Sequence, residues 1–271
     1  MSARENDLPS ELERMAIELA TGAADIVRSA RERPLSVSSK STSTDLVTGA
    51  DRESERWLVE QVARRRPGDS VLAEEGGAHG PSSGGVRWVM DPIDGTVNFV
   101  LGLPQYAVSV AAEVDGAVVA GAVCSPASGE LFHAHAGGGA YLRGRLLRGP
   151  REVPLSRAVV GTGFGYDATR RARQAAVVAA LLPRIADIRR QGAASLDLCA
   201  VAAGRLDAYF EAGLSPWDHA AGGLIAAEAG CVVRGLRGCA AGERMVVVAA
   251  PELIGELATL LEELGADRVS S

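Results

Sequence analysis

Residues 88–99 read Trp-Val-Met-Asp-Pro-Ile-Asp-Gly-Thr-Val-Asn-Phe, WVMDPIDGTVNF. Trp88, Val89 and Met90 are a short apolar run, which predicts a strand that ends at Asp91. Pro92 holds its own φ at about −65° and offers no backbone donor. Asp94-Gly95-Thr96 follows as a turn signal with a flexible glycine. Two carboxylates therefore stand at a sharp strand end, with the Ile93 carbonyl between them. Hard divalent cations take oxygen ligands of this kind, from carboxylates and from backbone carbonyls. An ordinary Asp-rich turn reads the same way from these residues alone, so the flanking chain has to decide.

Working outward, Ser70–Ala73 predicts a brief strand that ends at Glu74-Glu75-Gly76-Gly77. If it lies beside the first strand and ends at the same edge, Glu74 comes close to Asp91, in the way sheets commonly place ligands at strand ends. Upstream, a helix is expected from Leu12 to about Arg31, with Leu12, Met15, Ile17, Leu19, Ala23, Ile26 and Val27 inward, Ser10 as its cap and Pro34 beyond its end. Residues 1–9 read as a loose tail. Val37–Val47 is Ser/Thr-rich and reads as a loop or linker, with Lys40 and Asp45 embedded in it. A second helix capped by Thr48 or Asp51 runs to about Arg66. His79–Gly85 is a Gly/Ser/Pro loop.

Downstream, Tyr106–Glu113 and Ala117–Cys124 flank Asp115-Gly116, a hairpin signal. Glu130–His135 and Gly139–Leu142 extend this antiparallel set. An N-terminal lobe of residues 10–154 and a C-terminal lobe of residues 155–271 are expected. The second opens with the strand Val159-Val160 and the loop Gly161-Thr162-Gly163-Phe164-Gly165, whose glycines do not match a dinucleotide fingerprint. A helix over Ala168–Leu182, a strand at Asp187–Arg190 and a small-residue helix over Ala193–Ala203 come next. Leu206–Phe210 is a strand that ends at Glu211. Pro216-Trp217-Asp218 opens a helix to Ala229 and places one more carboxylate at a junction. Arg244–Ala249 and Pro251–Leu264 close the chain as strand and helix.

The 271 residues suffice for a large core, and the net charge of −6 with no cluster of Lys and Arg disfavours a nucleic-acid surface. The four Cys lack CxxC spacing and read as thiols in a reducing, cytoplasmic compartment. Four His, none in HExxH, argue against a zinc site. No stretch reads as a signal peptide, and Ala107–Ala112 is too short to span a membrane.

Glu74, Asp91, Asp94 and Asp218 gathered without basic partners would repel one another, and bound Mg²⁺ would resolve that repulsion. The chemistry implied is metal-assisted phosphoester hydrolysis. A glycosidase carboxylate pair leaves the third and fourth acids unexplained. Enzymes of the haloacid-dehalogenase type carry DxDGT, whereas two residues separate Asp91 and Asp94 here.

At this point the sequence resembles the inositol monophosphatase family of Mg²⁺-dependent, lithium-sensitive phosphatases. Trp88–Phe99 resembles its first signature and Pro216–Gly222, PWDHAAG, its second. Glu74-Glu75 resembles its paired acids, and Asp45–Asp51 its D-L-V-T-x-x-D. The resemblance implies a layered α/β/α/β/α sandwich of the inositol monophosphatase and fructose-1,6-bisphosphatase type, in a homodimer. It implies two to three Mg²⁺ ions: one on Glu74, Asp91 and the Ile93 carbonyl, one shared through Asp91 with Asp94 and Asp218, and a weaker third near Glu74. Thr96 with Asp51 would orient the attacking water. Gly95 and Thr96 amides would hold phosphate, Ala194 and Glu211 would face substrate hydroxyls, Asp218 would lie near the leaving oxygen, and Lys40 would sit on a mobile loop. Ala73, Leu101, Ala193 and Gly235 depart from the family pattern and touch the expected substrate, not the metal ligands. The expected substrate is a small phosphorylated polyol, inositol 1-phosphate, with histidinol phosphate or fructose 1,6-bisphosphate as alternatives. A regulatory or interaction role on the same scaffold is the reading from a different class. No nucleic-acid or membrane partner is expected.

Overall fold

The computed structural model describes residues 8–39, 45–81 and 85–268. Helix α1 (Leu8–Ala30) begins inside the stretch expected as a tail. Pro9 lies in its first turn, where a missing N–H costs nothing, and Ser10 is a helical residue and not its cap. The buried stripe is Leu12, Met15, Ala16, Leu19, Ala20, Ala23 and Val27. Ile17 and Ile26, expected inward, are only half-buried at its margin.

The Ser/Thr-rich segment is not simply a linker. Its flanks form strands β1 (Val37–Ser39) and β2 (Leu46–Thr48), paired antiparallel. Composition missed this because Val and Thr favour extended backbone, and each short strand supplies the other's hydrogen bonds. Residues 40–44 fall outside the described residues, so the expected position of Lys40 does too. Helix α2 (Gly49–Arg65) starts in a capping box in which Thr48 and Asp51 act together.

Strands β3 (Ser70–Ala73), β4 (Gly77–His79) and β5 (Arg87–Asp94) begin the larger sheet. Helix α3 (Thr96–Leu101) follows directly on β5. The sheet continues with β6 (Ala107–Val114), β7 (Ala117–Cys124), β8 (Leu131–His135), β9 (Gly139–Leu142) and β10 (Arg145–Leu146). Its order is β10-β9-β8-β7-β6-β5-β3-β4. All neighbours are antiparallel except β3 and β5, which run parallel. The central strand does not stop at Asp91 as its sequence suggests. It continues to Asp94 through a register shift against β6, and such a bulge is where a strand tolerates Pro92. Asp115 and Gly116 both take positive φ, 51° and 81°, as a tight hairpin requires.

The second sheet has the order β12-β11-β13-β15-β14, from β11 (Val159–Thr162), β12 (Asp187–Arg189), β13 (Ala208–Glu211), β14 (Val232–Arg234) and β15 (Val246–Ala249). Four helices accompany it: α4 (Ala168–Leu181), α5 (Ala194–Ala202), α6 (Pro216–Glu228) and α7 (Pro251–Glu263).

Strand alternation assigns the layers. In β5, Trp88 and Met90 join a core with α1 and α2, while Val89 points the other way, into a core with α5 and α6. In β15, Val246 and Val248 face that same middle core, whereas Val247 and Ala249 face α7. The chain is therefore an α/β/α/β/α sandwich with α5 and α6 between the two sheets. Small residues let the middle layers approach. A Cβ on Gly121 would lie 3.0 Å from Ala221 Cα, and one on Gly222 would lie 2.8 Å from Leu198 Cβ. Trp88 is fully buried, and its indole N–H donates to Asp69 at 2.9 Å. Among the described residues, no helix is long and apolar enough to cross a membrane.

Candidate active site

The parallel pairing of β3 with β5 sets Ala73 opposite Met90. The next residue of each strand, Glu74 and Asp91, therefore leaves the sheet at the same edge. Glu55 of α2 accepts a hydrogen bond from the Glu75 N–H at 2.7 Å and holds the turn. A Cβ on Gly76 would lie 2.7 Å from the His79 ring and 2.8 Å from the Glu55 carboxylate, so a larger residue there would displace the side chain that holds the turn. Asp91 accepts from the Ile93 N–H at 3.0 Å, which closes a short loop over Pro92, and Ser54 of α2 donates to the Pro92 carbonyl at 3.2 Å.

Asp94 reaches the other sheet's helices. It accepts from the backbone N–H of Ser195 at 2.7 Å and from the Ser195 hydroxyl at 2.5 Å. The N-cap of α5 is Ala193, which has no side chain able to cap, and Asp94 does that work from a distant strand. Asp218 closes a capping box at α6, accepting from the Ser215 N–H at 2.6 Å with one oxygen. Asp51, at the third position of α2, takes two bonds from Thr48 on one oxygen and faces Thr96 with the other. The Thr96 hydroxyl lies 3.0 Å from both Asp51 and the Ile93 carbonyl. It has one proton, and the carboxylate is the stronger acceptor. Gly95 has φ 89°, and a Cβ on it would lie 2.8 Å from the Gln105 carbonyl, so no other residue fits.

Glu74, Asp91, Ile93, Asp94, Gly95, Thr96, Ala194, Glu211 and Asp218 line one cavity of about 360 Å³. Asp51 stands behind it, fully buried. Leu101, 68% exposed, is not part of its lining, and neither is Gly235, which sits in a tight turn against Ala240. The acids perturb one another. Burial pushes Asp91 well above the ordinary carboxylate range, and the charges of Glu74, Asp94 and Asp218 push it further. Burial likewise raises Asp218, with Asp94 and Glu74 adding to it. Asp94 is raised to about 6 by burial, against the opposing pull of the Ser195 hydrogen bonds. Burial also raises Asp51, opposed by its bonds from Thr48 and Thr96.

Among the described residues, no three or more His, Cys, Asp or Glu side chains are drawn together closely enough to hold a metal ion as they stand. The donor chemistry nevertheless fits a hard cation. Carboxylates and one carbonyl share a cavity, and burial together with their neighbours' charges raises Asp91, Asp94 and Asp218 above the ordinary carboxylate range. A bound divalent cation is the counter-charge that such a set lacks.

The opposite wall explains the glycine loop after β11. A Cβ on Gly161 would lie 2.8 Å from Leu206, one on Gly165 would lie 2.7 Å from Arg170, and one on Gly163 would collide with the Glu211 carboxylate. Each glycine makes room for a side chain. The buried Tyr209 hydroxyl donates to Glu211, whose pKa burial still raises to about 7. Asp45, Tyr166 and Arg170 also line the cavity and were not singled out as site residues from sequence. Tyr209, which orients Glu211, was not singled out either, and Ser195, expected with Ala193 and Ala194 as a helix start facing the alcohol, orients Asp94. The spacing of the three glycines was the available signal for this wall. Arg190 lines the cavity, whereas its neighbour Arg189 pairs with Asp187 on the surface.

Comparison with known proteins agrees with this geometry. The family described as the inositol monophosphatase family matches residues 8–266. A protein of Mycobacterium leprae (strain TN) named Inositol-1-monophosphatase is 47% identical, over 97% of this chain and 97% of its own. A protein of Pasteurella multocida (strain Pm70) named Nus factor SuhB is 40% identical, over 90% of this chain and 92% of its own. Among solved structures, Mycobacterium tuberculosis SuhB superposes with a TM-score of 0.81 at 43% identity, over 95% of this chain and 98% of that one.

Proposed function

The chain belongs to the inositol monophosphatase family, and from that membership we propose that it hydrolyses inositol 1-phosphate to inositol and phosphate. The observation that carries this reading is the meeting of Glu74, Asp91, Asp94, Asp218 and Thr96 at one end of a cavity that also holds Glu211. Mg²⁺, two to three ions per subunit, would be held by Glu74, Asp91 and the Ile93 carbonyl, and by Asp91, Asp94 and Asp218. When bound, it supplies charge for the phosphoryl oxygens and lowers the pKa of water.

The chain's own groups do the positioning. With its proton committed to Asp51, the Thr96 oxygen is an acceptor that orients a water toward phosphorus. The Gly95 and Thr96 amides would hold a phosphate oxygen, and Asp218 would stand beside the leaving oxygen. Glu211, fixed by Tyr209, accepts hydrogen bonds from the hydroxyls of a polyol, and the small Ala193 and Ala194 leave space for a compact ring. A homodimer, a cytoplasmic setting, lithium sensitivity and a lobe boundary near residue 154 belong to the same reading.

Phosphate release from inositol 1-phosphate, with Mg²⁺ and with EDTA, tests it. Hydrolysis only with Mg²⁺ is expected, and equal rates would remove the metal mechanism. A preference of about tenfold for histidinol phosphate would reassign the substrate and keep the chemistry. Hydrolysis of no phosphomonoester, together with a partner captured without metal, would favour the interaction role suggested by the relative named Nus factor SuhB.

A further inference from the structure

We propose that Gln174 of α4 is a positioning residue for alcohol recognition: its side-chain amide bridges the loop after β11 to the chain after β13 and so holds Glu211 where the hydroxyls of a polyol meet it. This rests on the phosphomonoesterase reading above and adds to it a group that does not itself touch the substrate.

The buried face of α4 is Gln174, Val177 and Leu181, an apolar stripe with one amide in it. Gln174 is only 6% exposed, and an amide buried to that extent costs free energy unless it is paired. Both of its ends are paired. The Gly165 N–H donates to Oε1 at 3.0 Å, and Nε2 donates to the Ala212 carbonyl at 3.5 Å. These partners decide which way the amide points, because a backbone N–H requires an acceptor and a carbonyl requires a donor.

The two partners belong to segments that the sheet does not join. β11 and β13 run parallel, and their register ends with Thr162 opposite Phe210. Gly163 and Glu211, the next residue of each strand, line the cavity side by side, and a Cβ on Gly163 would collide with the Glu211 carboxylate. The separation of loop and strand end therefore decides where that carboxylate sits. Gln174, Gly163, Glu211 and Ala212 also line a void of about 10 Å³ on the far side of the wall, so the amide stands directly behind the carboxylate. Arg171, three residues earlier in α4, donates to the carbonyls of Gly165 and Tyr166 at 3.2 and 2.7 Å and reaches the loop alone. Gln174 reaches both segments. Tyr209 orients the Glu211 carboxylate itself, and Gln174 sets the backbone on either side of it.

The test compares kcat/KM, with Mg²⁺, for inositol 1-phosphate and for phenyl phosphate, whose alcohol offers Glu211 no hydroxyl. Gln174→Met keeps the length of the side chain and removes both hydrogen bonds. It should lower the ratio of inositol 1-phosphate to phenyl phosphate by about tenfold, through a higher KM for inositol 1-phosphate with kcat little changed. Glu211→Gln should lower the same ratio, and adding Gln174→Met to it should lower the ratio little further, because both act through one contact. If Gln174→Met does not fold, Gln174→Glu keeps the bond from Gly165, loses the one to Ala212 and should move the ratio in the same direction. The inference is overturned if the folded variant keeps the wild-type ratio, if it loses activity equally on both substrates as a merely structural role would give, or if the two substitutions lower the ratio independently. It is also overturned if Glu211→Gln alone leaves the ratio where it is. If the wild type hydrolyses neither substrate, the phosphomonoesterase reading falls and this one with it.

Discussion

Asp94 accepts two hydrogen bonds from Ser195, at 2.7 and 2.5 Å, across 101 residues of chain. One carboxylate thus caps a helix and faces the candidate active-site cavity, and the two roles are separable. Ser195→Ala removes the hydroxyl bond alone and should cost about 1 kcal/mol of stability, read as a lower melting temperature, with a several-fold fall in kcat. Asp94→Ala also leaves the α5 N-terminus without its acceptor and should cost about 1–2 kcal/mol with activity lost. Equal activity in Asp94→Ala and wild type would remove Asp94 from the chemistry.

Thr96 and Asp51 should affect turnover before they affect metal. Thr96→Ala is expected to lower kcat by about 10–100-fold while the Mg²⁺ affinity, measured by calorimetry, changes little. Asp51→Asn should act in the same direction and also destabilise α2 by about 1 kcal/mol through the broken capping box. Loss of Mg²⁺ binding in Thr96→Ala would mean that Thr96 shapes the metal end and does not orient water.

The metal-free protein should lose stability as pH rises. Asp94 holds its proton to about 6 in the folded state, against an ordinary carboxylate value near 3.8. Between these values the folded chain binds more protons than the unfolded one, so the stability present below about pH 4 declines through pH 6 and then levels off. Asp91 and Asp218, also raised, extend the decline in the same direction. Melting temperatures in EDTA at pH 5 and pH 7.5 should differ accordingly, and Mg²⁺ should raise the value at pH 7.5 most. A metal-free protein more stable at pH 7.5 than at pH 5 would contradict the mutual repulsion.

Asp91→Asn should separate stability from function. It keeps the oxygen that accepts from Ile93 and removes the charge that faces Glu74, Asp94 and Asp218. Without metal, the variant is expected to melt higher than wild type at neutral pH. Its phosphatase activity should be lost at any moderate Mg²⁺ concentration. A lower metal-free melting temperature would show that the Asp91 carboxylate is not under repulsion.

Much of the site was legible because its residues sit where local signals are strong. The Asp-Pro-x-Asp-Gly-Thr turn, the cap at Thr48 and the Pro-Trp-Asp helix start are each dictated within a few residues. The adjacency of Glu74 and Asp91 was expected from strand ends, and the parallel register of β3 and β5 bears it out. What sequence alone did not yield depends on partners far along the chain. β5 runs on to Asp94 because β6 pairs with it beyond the bulge, and β1 exists because β2 does. Ser195 carries no local sign that its acceptor is Asp94. Arg170 reads as one more charged residue on an amphipathic helix until the loop beside it is seen.

Gly163 and Gly165, the two glycines of the loop after β11, contribute to the cavity only by what they omit. Glu211 and Arg170 occupy space that one methyl group would take away. A wall defined in this way is remodelled through the side chains it displaces, since a Cβ on Gly163 would move Glu211 and one on Gly165 would move Arg170. In diverging copies of such an enzyme, a preference for one alcohol over another shifts through a single Gly→Ala change at 163 or 165, with Glu74, Asp91, Asp94, Asp218 and Thr96 left in place. Comparing glycine content in this loop between paralogues is therefore a more sensitive guide to a change of substrate than comparing the charged residues themselves.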